Sequence, residues 1–418
     1  HSLDRRQRQM CIRDSYSIFL FILDISIFIS SKFNEKNRRI FEGRKNSFQY
    51  ILDNNITEKK IIWIHVSSVG EFEQAKPIIE RIKLNYKYKV LVTYFSSSAE
   101  ETVTEFKEVD YHFFLPSDRK EYMEKLFSLL KPKIILLIKY EFWKNLIDLA
   151  HINSIPVISI SSIFRKNQIY FYPFNFFQNI LRKISLFLVQ NNESLELLNK
   201  INVENVKVVG DTRYDRVLEI FNNFKEDKKI KEFIDGKKTV IVGSSWRSDV
   251  EKIKNEIIRD LTDTKYIIAP HNINQQEIEY LENTFLNDTI KYSQLPQKNI
   301  KKRVLLIDNY GMLSSVYKYA KVSFIGGGFR GALHNTLEAV VWDIPVVYGS
   351  HSNNKKFFEL KLLEKNNIGF PIKSGNEFKL IKNRIFKNRD IGKGGNEFVK
   401  LQSGCLLYTS DAADDRVS

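Results

Sequence analysis

Ile61-Ile62-Trp63-Ile64-His65-Val66-Ser67-Ser68-Val69-Gly70-Glu71 is the stretch that decides how this chain reads. An apolar, β-favouring run breaks into small residues and Gly, and the next segment opens with an acid. That pattern marks a buried strand passing into a helix, and in parallel sheets such exits border the crevice where ligands bind. The reading puts Glu71 at the mouth of that crevice, with Ser68 and Gly70 beside it, the glycine allowing a tight turn and close backbone approach. A blander reading makes Ser68 an N-cap and Glu71 its partner three residues on, a capping box. A second glycine-rich turn, Gly326-Gly327-Gly328 through His334-Asn335-Thr336-Leu337-Glu338, shifts the balance toward a site.

Short runs of Ile and Val recur at 61–66, 89–94, 133–138, 155–160, 185–189 and 205–209, with amphipathic stretches between them. Unbroken apolar strands joined by helices imply a parallel sheet covered on both faces. The alternation pauses over the charged stretch 210–236 and restarts at 239–242, 265–269, 303–307, 321–325 and 344–347. The expected fold is α/β, two doubly wound parallel-sheet (Rossmann-like) domains facing across a cleft, at 47–209 and 237–402 with a hinge at 210–236.

The 418 residues suffice for two such domains. Lys and Arg number 65 against 50 Asp and Glu, a net charge of +15, which implies an anionic partner: a nucleic acid, a nucleotide or an acidic membrane surface. Cys11 and Cys405 form no disulfide or metal pattern, and the 7 histidines show no ligand spacing, so no metal site is expected. Residues 1–15 and 403–418 differ in composition from the body and resemble translated adapter sequence, so they are set aside. Tyr16 to Ser30 is apolar but short of a bilayer span and contains Asp24. Lys32, Lys36, Arg38, Arg39, Arg44 and Lys45 follow as a basic collar, so 16–46 reads as a membrane anchor, with a buried core helix as the alternative.

Several strand exits carry polar groups. Glu141 ends the run Leu136-Leu137-Ile138-Lys139-Tyr140-Glu141, and with Glu71 it makes a carboxylate pair that can divide general-base and supporting roles. Ser162 and Arg165 follow another strand. Arg213, between the domains, is an anion ligand or a hinge salt bridge. In the second half, Ser244 and Ser245 offer hydroxyls and amides, Pro270-His271 an imidazole for a phosphate or base, and Asp308 to Gly311 a further turn. Gly327, Gly328 and the following helix start, from about His334, suit a phosphate, Asn335 or Thr336 helping to cap it and Glu338 reaching a ribose. The glycines do not follow the dinucleotide fingerprint, which disfavours a nicotinamide site.

In order and spacing these motifs resemble the 3-deoxy-D-manno-octulosonic acid (Kdo) transferase family, over roughly Tyr16 to Glu397. The likeness rests on the anchor and collar, His65 to Glu71, Pro132 to Asn145, Gly210 to Asp215, Gly243 to Ser245, Ala269 to His271, Asp308 to Leu313 and Gly326 to Glu338. It implies a GT-B fold and inverting transfer of Kdo from CMP-Kdo to a lipid A precursor, without covalent intermediate, cofactor or metal. Glu71 falls on the family's general base and Glu141 on its second glutamate. Gly331, His334 and Asn335 fall on the turn that holds the CMP phosphate. Ser68, Gly70, Ser162 and Arg165 are then acceptor-side groups. The chain departs from the family at Lys139 and His271, where the motifs carry Glu and Arg, at Lys144, where they carry Pro, and at Met312, where they carry Glu. The implied partners are CMP-Kdo, the lipid acceptor and an anionic membrane surface, with no nucleic acid, and the implied place is the cytoplasmic face of the inner membrane. Rival readings are a sugar-nucleotide epimerase of the same fold and a non-catalytic basic membrane-surface protein.

Overall fold

The unbroken apolar runs fold as the centres of two sheets. A computed structural model describes residues 2–172, 175–295 and 301–404. One unit runs to Asp215 and takes the chain back at Gln402; the other is Arg216–Leu401. The first holds β1 (Ile61–Val66), β2 (Lys89–Tyr94), β3 (Tyr111–Phe114), β4 (Ile134–Ile138), β5 (Val157–Ser162), β6 (Leu186–Val189) and β7 (Val206–Val208). They pair in parallel in the order β3-β2-β1-β4-β5-β6-β7. The second holds β8 (Thr239–Ser245), β9 (Lys265–Pro270), β10 (Thr289–Lys291), β11 (Val304–Leu306), β12 (Val322–Ile325), β13 (Val346–Gly349) and β14 (Gly369–Ile372). Its order is β10-β11-β9-β8-β12-β13-β14, again parallel. Both are Rossmann-like sheets of the GT-B kind, and in both the strand order reverses beside the first strand, at β1/β4 and at β8/β12.

The central strands are buried along their whole length because helices cover both faces. Trp63 and Ile61 pack on one side with Leu91, Ile135 and Phe187, while Ile62, Ile64 and Val66 pack on the other with Phe72, Ile79 and Leu136. In the second unit Val240, Val242, Tyr266 and Phe324 centre a further cluster. Three strands were not expected from the sequence: β3, β10 and β14. Each lies at a sheet edge and is short; β3 and β10 mix polar and apolar residues, as Thr289-Ile290-Lys291 shows, and Gly369 and Pro371 interrupt β14. The stretch 210–236 carries two helices, Thr212–Asn222 and Lys228–Ile234.

The expected N-terminal anchor and the inner-membrane placement built on it require correction. Among the described residues no helix is long and apolar enough to cross a membrane. Tyr16 to Ser30 belongs to the helix Ser2–Ser31, which packs on the next helix, Glu35–Asp53, and on the first sheet's flank. Polar ties fix it there. The Tyr16 hydroxyl donates to Asp118 at 2.6 Å, and Asp24, the acid that interrupts the apolar run, takes Arg119 Nε at 2.8 Å. The collar serves the same packing: Arg39 pairs with Glu100 and Glu101, and Arg44 with Asp24. Leu20 and Ile27 are buried, while Ile18, Phe19, Ile22 and Ile29 stay exposed.

Two side chains make this packing testable. Gly43 has no room for a methyl group, because a Cβ there would lie 2.1 Å from the Phe114 ring, whose carbonyl Ser47 grips at 2.6 Å. Gly43→Ala should therefore lower unfolding free energy by about 1–3 kcal/mol in denaturant titration, and an unchanged midpoint would mean the helix sits elsewhere. Asp118 caps the helix Lys144–Ile152 through the Asn145 and Leu146 amides at 2.8 and 2.9 Å. Burial pushes its carboxyl up to about 6, against the Tyr16 hydroxyl and those amides, which pull it down. A carboxyl raised in the folded state contributes stability below its unfolded pKa, and that contribution is lost as pH rises through the folded value. The stability of the wild type relative to Asp118→Asn should thus fall by up to about 3 kcal/mol between pH ~4 and ~7. A pH-independent difference between the two proteins would contradict it.

Candidate active site

Where the strand order of a doubly wound sheet reverses, the loops diverge and leave a crevice at the strand C-termini. At the β1/β4 reversal, β1 leads through Ser68 into the helix Val69–Asn85, which carries Glu71 in its first turn. Ser68 sits in the extended region, but its hydroxyl makes no capping bond to the helix amides. It donates instead to the Glu71 carboxylate in a short contact. The capping box is therefore not formed, and the turn holds the carboxylate rather than the helix end. Gly70 is exposed with room beside it for a Cβ, so close approach is not what its place requires.

Lys139, the residue after β4, brings the second group. Its φ of +64° is a left-handed conformation unusual for a lysine. Three bonds hold it: its amide donates to Ile160 O at 2.9 Å, and its carbonyl accepts from Ser162 Oγ at 2.9 Å and Ser159 Oγ at 3.3 Å. So fixed, its ammonium lies 3.3 Å from Glu71 Oε1, with both side chains roughly one-fifth exposed (26 % and 17 %). Glu141 lies beyond. Its Oε2 accepts from Trp143 Nε1 at 3.1 Å and lies 3.5 Å from Nε2 of the fully buried His65. Trp143 Nε1 also donates to that Nε2 at 3.2 Å, while His65 Nδ1 faces the Thr93 carbonyl at 3.1 Å. The first unit thus gathers Glu71 paired with a cation, and Glu141 held by an indole, at adjacent strand exits.

Other expected residues of this half fall elsewhere. Ser162 is fully buried and donates to Lys139 O, so it positions the lysine's backbone instead of meeting an acceptor. Arg165 is exposed beside the Tyr140 ring. Arg213, expected as a donor ligand, belongs to the first unit, and its Nε is held by Asp211 at 2.9 Å. Asp211 is buried and also accepts from Gln74 and Gln190, which is the hinge-type salt bridge of the two readings. A cavity of about 1050 Å³ bordered by Lys133, Ile155 and Pro156 opens at the opposite, N-terminal ends of β4 and β5, away from these groups.

At the β8/β12 reversal the second unit stacks aromatic rings. Ser244, left-handed with φ of +51°, turns β8 toward Trp246, while Ser245 is buried against Ala269 O. The Trp246 indole stacks on His271 at 4.2 Å, His271 on His334 at 4.5 Å, and the Arg330 guanidinium covers Trp246 at 4.7 Å. Trp246 Nε1 donates to His334 Nε2 at 3.1 Å. Burial, with His271 alongside, lowers His334 to about 4; burial and Arg330 lower His271, so both imidazoles are neutral at pH 7. Such a set of rings can stack on a flat base and hydrogen-bond a phosphate, with Arg330 as the cation.

The glycine turn is narrower than expected as an anion cradle. Gly327, with φ of +81°, would bring a Cβ to 2.1 Å from Ala332 O, so only glycine fits. Its amide donates to the buried Asp249 at 2.8 Å, and the amides of Gly326, Arg330, Gly331, Ala332 and His334 bond to carbonyls within the unit. Nor does a helix begin at His334: the helix here is only Leu337–Val340, because Asn335 Oδ1 first closes a turn on the Leu337 amide. Glu338 accepts from Ser314 at 2.8 Å and Asn335 at 3.4 Å. Gly328 and Pro270 are buried, and Gly311 turns at φ of +90°. Lys139, Trp143, Trp246, Asp249 and Arg330 were not singled out as site residues from sequence. Only Trp246-x-x-Asp249, with helix-start spacing after a strand, carried a local signal. Among the described residues no three His, Cys, Asp or Glu side chains converge as a metal set.

A family model for 3-deoxy-D-manno-octulosonic-acid transferase (kdotransferase) matches residues 38–216. The 3-deoxy-D-manno-octulosonic acid transferase of Aquifex aeolicus is 29 % identical over 326 residues, 76 % of this chain and 84 % of that protein. That of Rickettsia typhi is 24 % identical over 328 residues, covering 76 % and 70 %. Among solved structures, a UDP-GlcNAc 2-epimerase from Neisseria meningitidis aligns with a TM-score of 0.53 at 13 % identity, covering 83 % of this chain and 95 % of that one, a likeness of fold alone. The match over residues 38–216 and the relatives aligned along three quarters of the chain support the Kdo transferase family of glycosyltransferases for this chain.

Proposed function

We propose that this chain moves Kdo from CMP-Kdo to a lipid A precursor in lipopolysaccharide core assembly, with Glu71 as general base. The observation that carries the reading is the Glu71 carboxylate at the β1 exit, oriented by Ser68 and Lys139 and still partly open to solvent. An oriented carboxylate at the mouth of a crevice can take the proton of an acceptor hydroxyl as that oxygen attacks. The acceptor oxygen bonds to the anomeric carbon of Kdo, and the bond from that carbon to the CMP phosphate oxygen breaks. CMP leaves with the electron pair, and the proton rests on Glu71. One displacement inverts the anomeric centre. This displacement requires no metal ion or cofactor.

Glu141, beside His65 and Trp143, is the supporting acid of the acceptor side. For the donor we assign the cytosine and phosphate to the Trp246–His271–His334 stack and Arg330, with Ser244 and the Gly331 to Asn335 turn alongside. Neutral imidazoles there would donate hydrogen bonds without adding charge, leaving Arg330 to balance the phosphate. Glu338, already bonded by Ser314, would accept from a ribose hydroxyl.

Incubation with CMP-Kdo, with and without lipid A precursor, tests the reading. Acceptor-dependent CMP release and a product heavier by Kdo support it, whereas release independent of the lipid favours a hydrolase or epimerase. Loss of a positioned base typically costs ~10²–10⁴-fold in rate. Glu71→Gln should bind CMP-Kdo as the wild type does and transfer at least about 100-fold more slowly. Glu338→Gln should raise the KM for CMP-Kdo with a smaller change in kcat. Near-normal transfer by Glu71→Gln would remove it as the base.

A further inference from the structure

The loop that follows β13 is built directly onto the glycine turn of the second unit. A Cβ on Gly328 would lie 2.6 Å from both the amide nitrogen and the carbonyl oxygen of Gly349, the last residue of β13. A Cβ on Gly349 would collide with Phe329 in return, so the two backbones meet with no side chain between them. Buried Asn354 fastens the same contact, its Nδ2 donating to Gly349 O at 2.8 Å and to Gly328 O at 3.2 Å. Loop and turn are one piece.

His351 stands where they meet. A Cβ on Gly331 would reach 2.5 Å from its Nδ1, so the imidazole rests on the glycine next to Arg330. That Nδ1 accepts from the Asn353 amide at 3.1 Å, capping the short turn Ser352–Lys356 and fixing the ring. Nε2 faces away from this bond on an exposed residue, and among the described residues it has no partner. Capping alone does not call for a histidine, because Asn, Asp, Ser and Thr are preferred for such a bond. What the imidazole adds is a second nitrogen, turned outward beside the cation of the donor side.

CMP-Kdo carries two anionic groups, the phosphate and the carboxylate of the sugar. The phosphate falls to Arg330 and the ring stack. The carboxylate is borne by the anomeric carbon, the same carbon that holds the phosphate oxygen, so its partner must stand beside the phosphate's. We infer that His351 Nε2 binds the carboxylate of the donor sugar and gives the site its preference for an acidic sugar. The inference rests on the transfer reading and names one further group of the same site. A hydrogen bond to an ionised carboxylate is stronger than one between neutral groups, and a site that makes it disfavours a donor lacking the carboxylate.

His351→Asn tests it, because the asparagine oxygen can still accept from the Asn353 amide while Nε2 is lost. Calorimetry compares freshly prepared CMP-Kdo with CMP, which has a phosphate but no sugar carboxylate. The variant should bind CMP-Kdo at least about tenfold more weakly, and CMP within about twofold of the wild type. In transfer assays the loss should fall on the KM for CMP-Kdo, with kcat changed less. His351→Asp keeps the cap and sets a like charge against the carboxylate, so it should weaken CMP-Kdo further than His351→Asn does. Unchanged CMP-Kdo affinity in His351→Asn would overturn the inference, as would an equal loss for CMP. A wild type that binds neither ligand would overturn the transfer reading and this inference with it.

Discussion

One carbonyl at the end of β4 sets the first half-site. The oxygen of Lys139 is gripped by the hydroxyls of Ser159 and Ser162, which holds the residue left-handed and sends its side chain across the strand-order reversal toward Glu71. Non-glycine residues persist in that region only when their surroundings over-determine them, and such strain gathers at functional sites. Here three backbone bonds supply the determination. The consequence is electrostatic: a carboxylate that would otherwise sit between a serine and water has a fixed cation at 3.3 Å, in a setting less screened than bulk solvent. The resemblance to Kdo transferases leads one to expect an acid at position 139. A lysine there gives Glu71 a cation as its neighbour.

The second unit solves a different problem on the same topology. Its reversal is built from rings. Asp249 bonds both the Trp246 amide and the Gly327 amide, joining the β8 exit to the glycine turn, so the indole and the turn are fixed together. Burial keeps the two imidazoles neutral, which lets them stack closely without mutual repulsion. A flat, weakly charged platform with one guanidinium over it suits a nucleotide better than a free sugar. The division of labour between the sheets follows from their exits, acid and cation on one, rings and a glycine turn on the other.

The sheets were legible in the sequence because their central strands are buried on both faces and therefore read as unbroken apolar runs. The edge strands were not, since β3 and β10 mix polar and apolar residues, β14 carries Gly369 and Pro371, and all three gain their partners only from the fold. Glu71 and Glu141 could be placed at strand exits from local pattern. The bonds around them could not: Lys139 meets Glu71 across 68 positions and His65 meets Trp143 across 78. The same blindness to distant partners explains the mistaken anchor. Asp24 in an apolar run looks like a blemish until Arg119, 95 residues on, is seen to pair with it. Arg213 and Ser162 looked like ligands for the same reason, and the fold engages both internally.

The central claim is that Lys139 and Glu71 act as one unit in proton removal. A double-mutant cycle on acceptor-dependent CMP release addresses it, using Glu71→Gln, Lys139→Met and the pair together. Residues that act as a unit are non-additive. Once Glu71 has lost its charge, Lys139 has nothing left to hold, so the double variant should be no slower than Glu71→Gln alone, within about twofold. Losses that multiply would contradict the account and make the lysine an independent contributor.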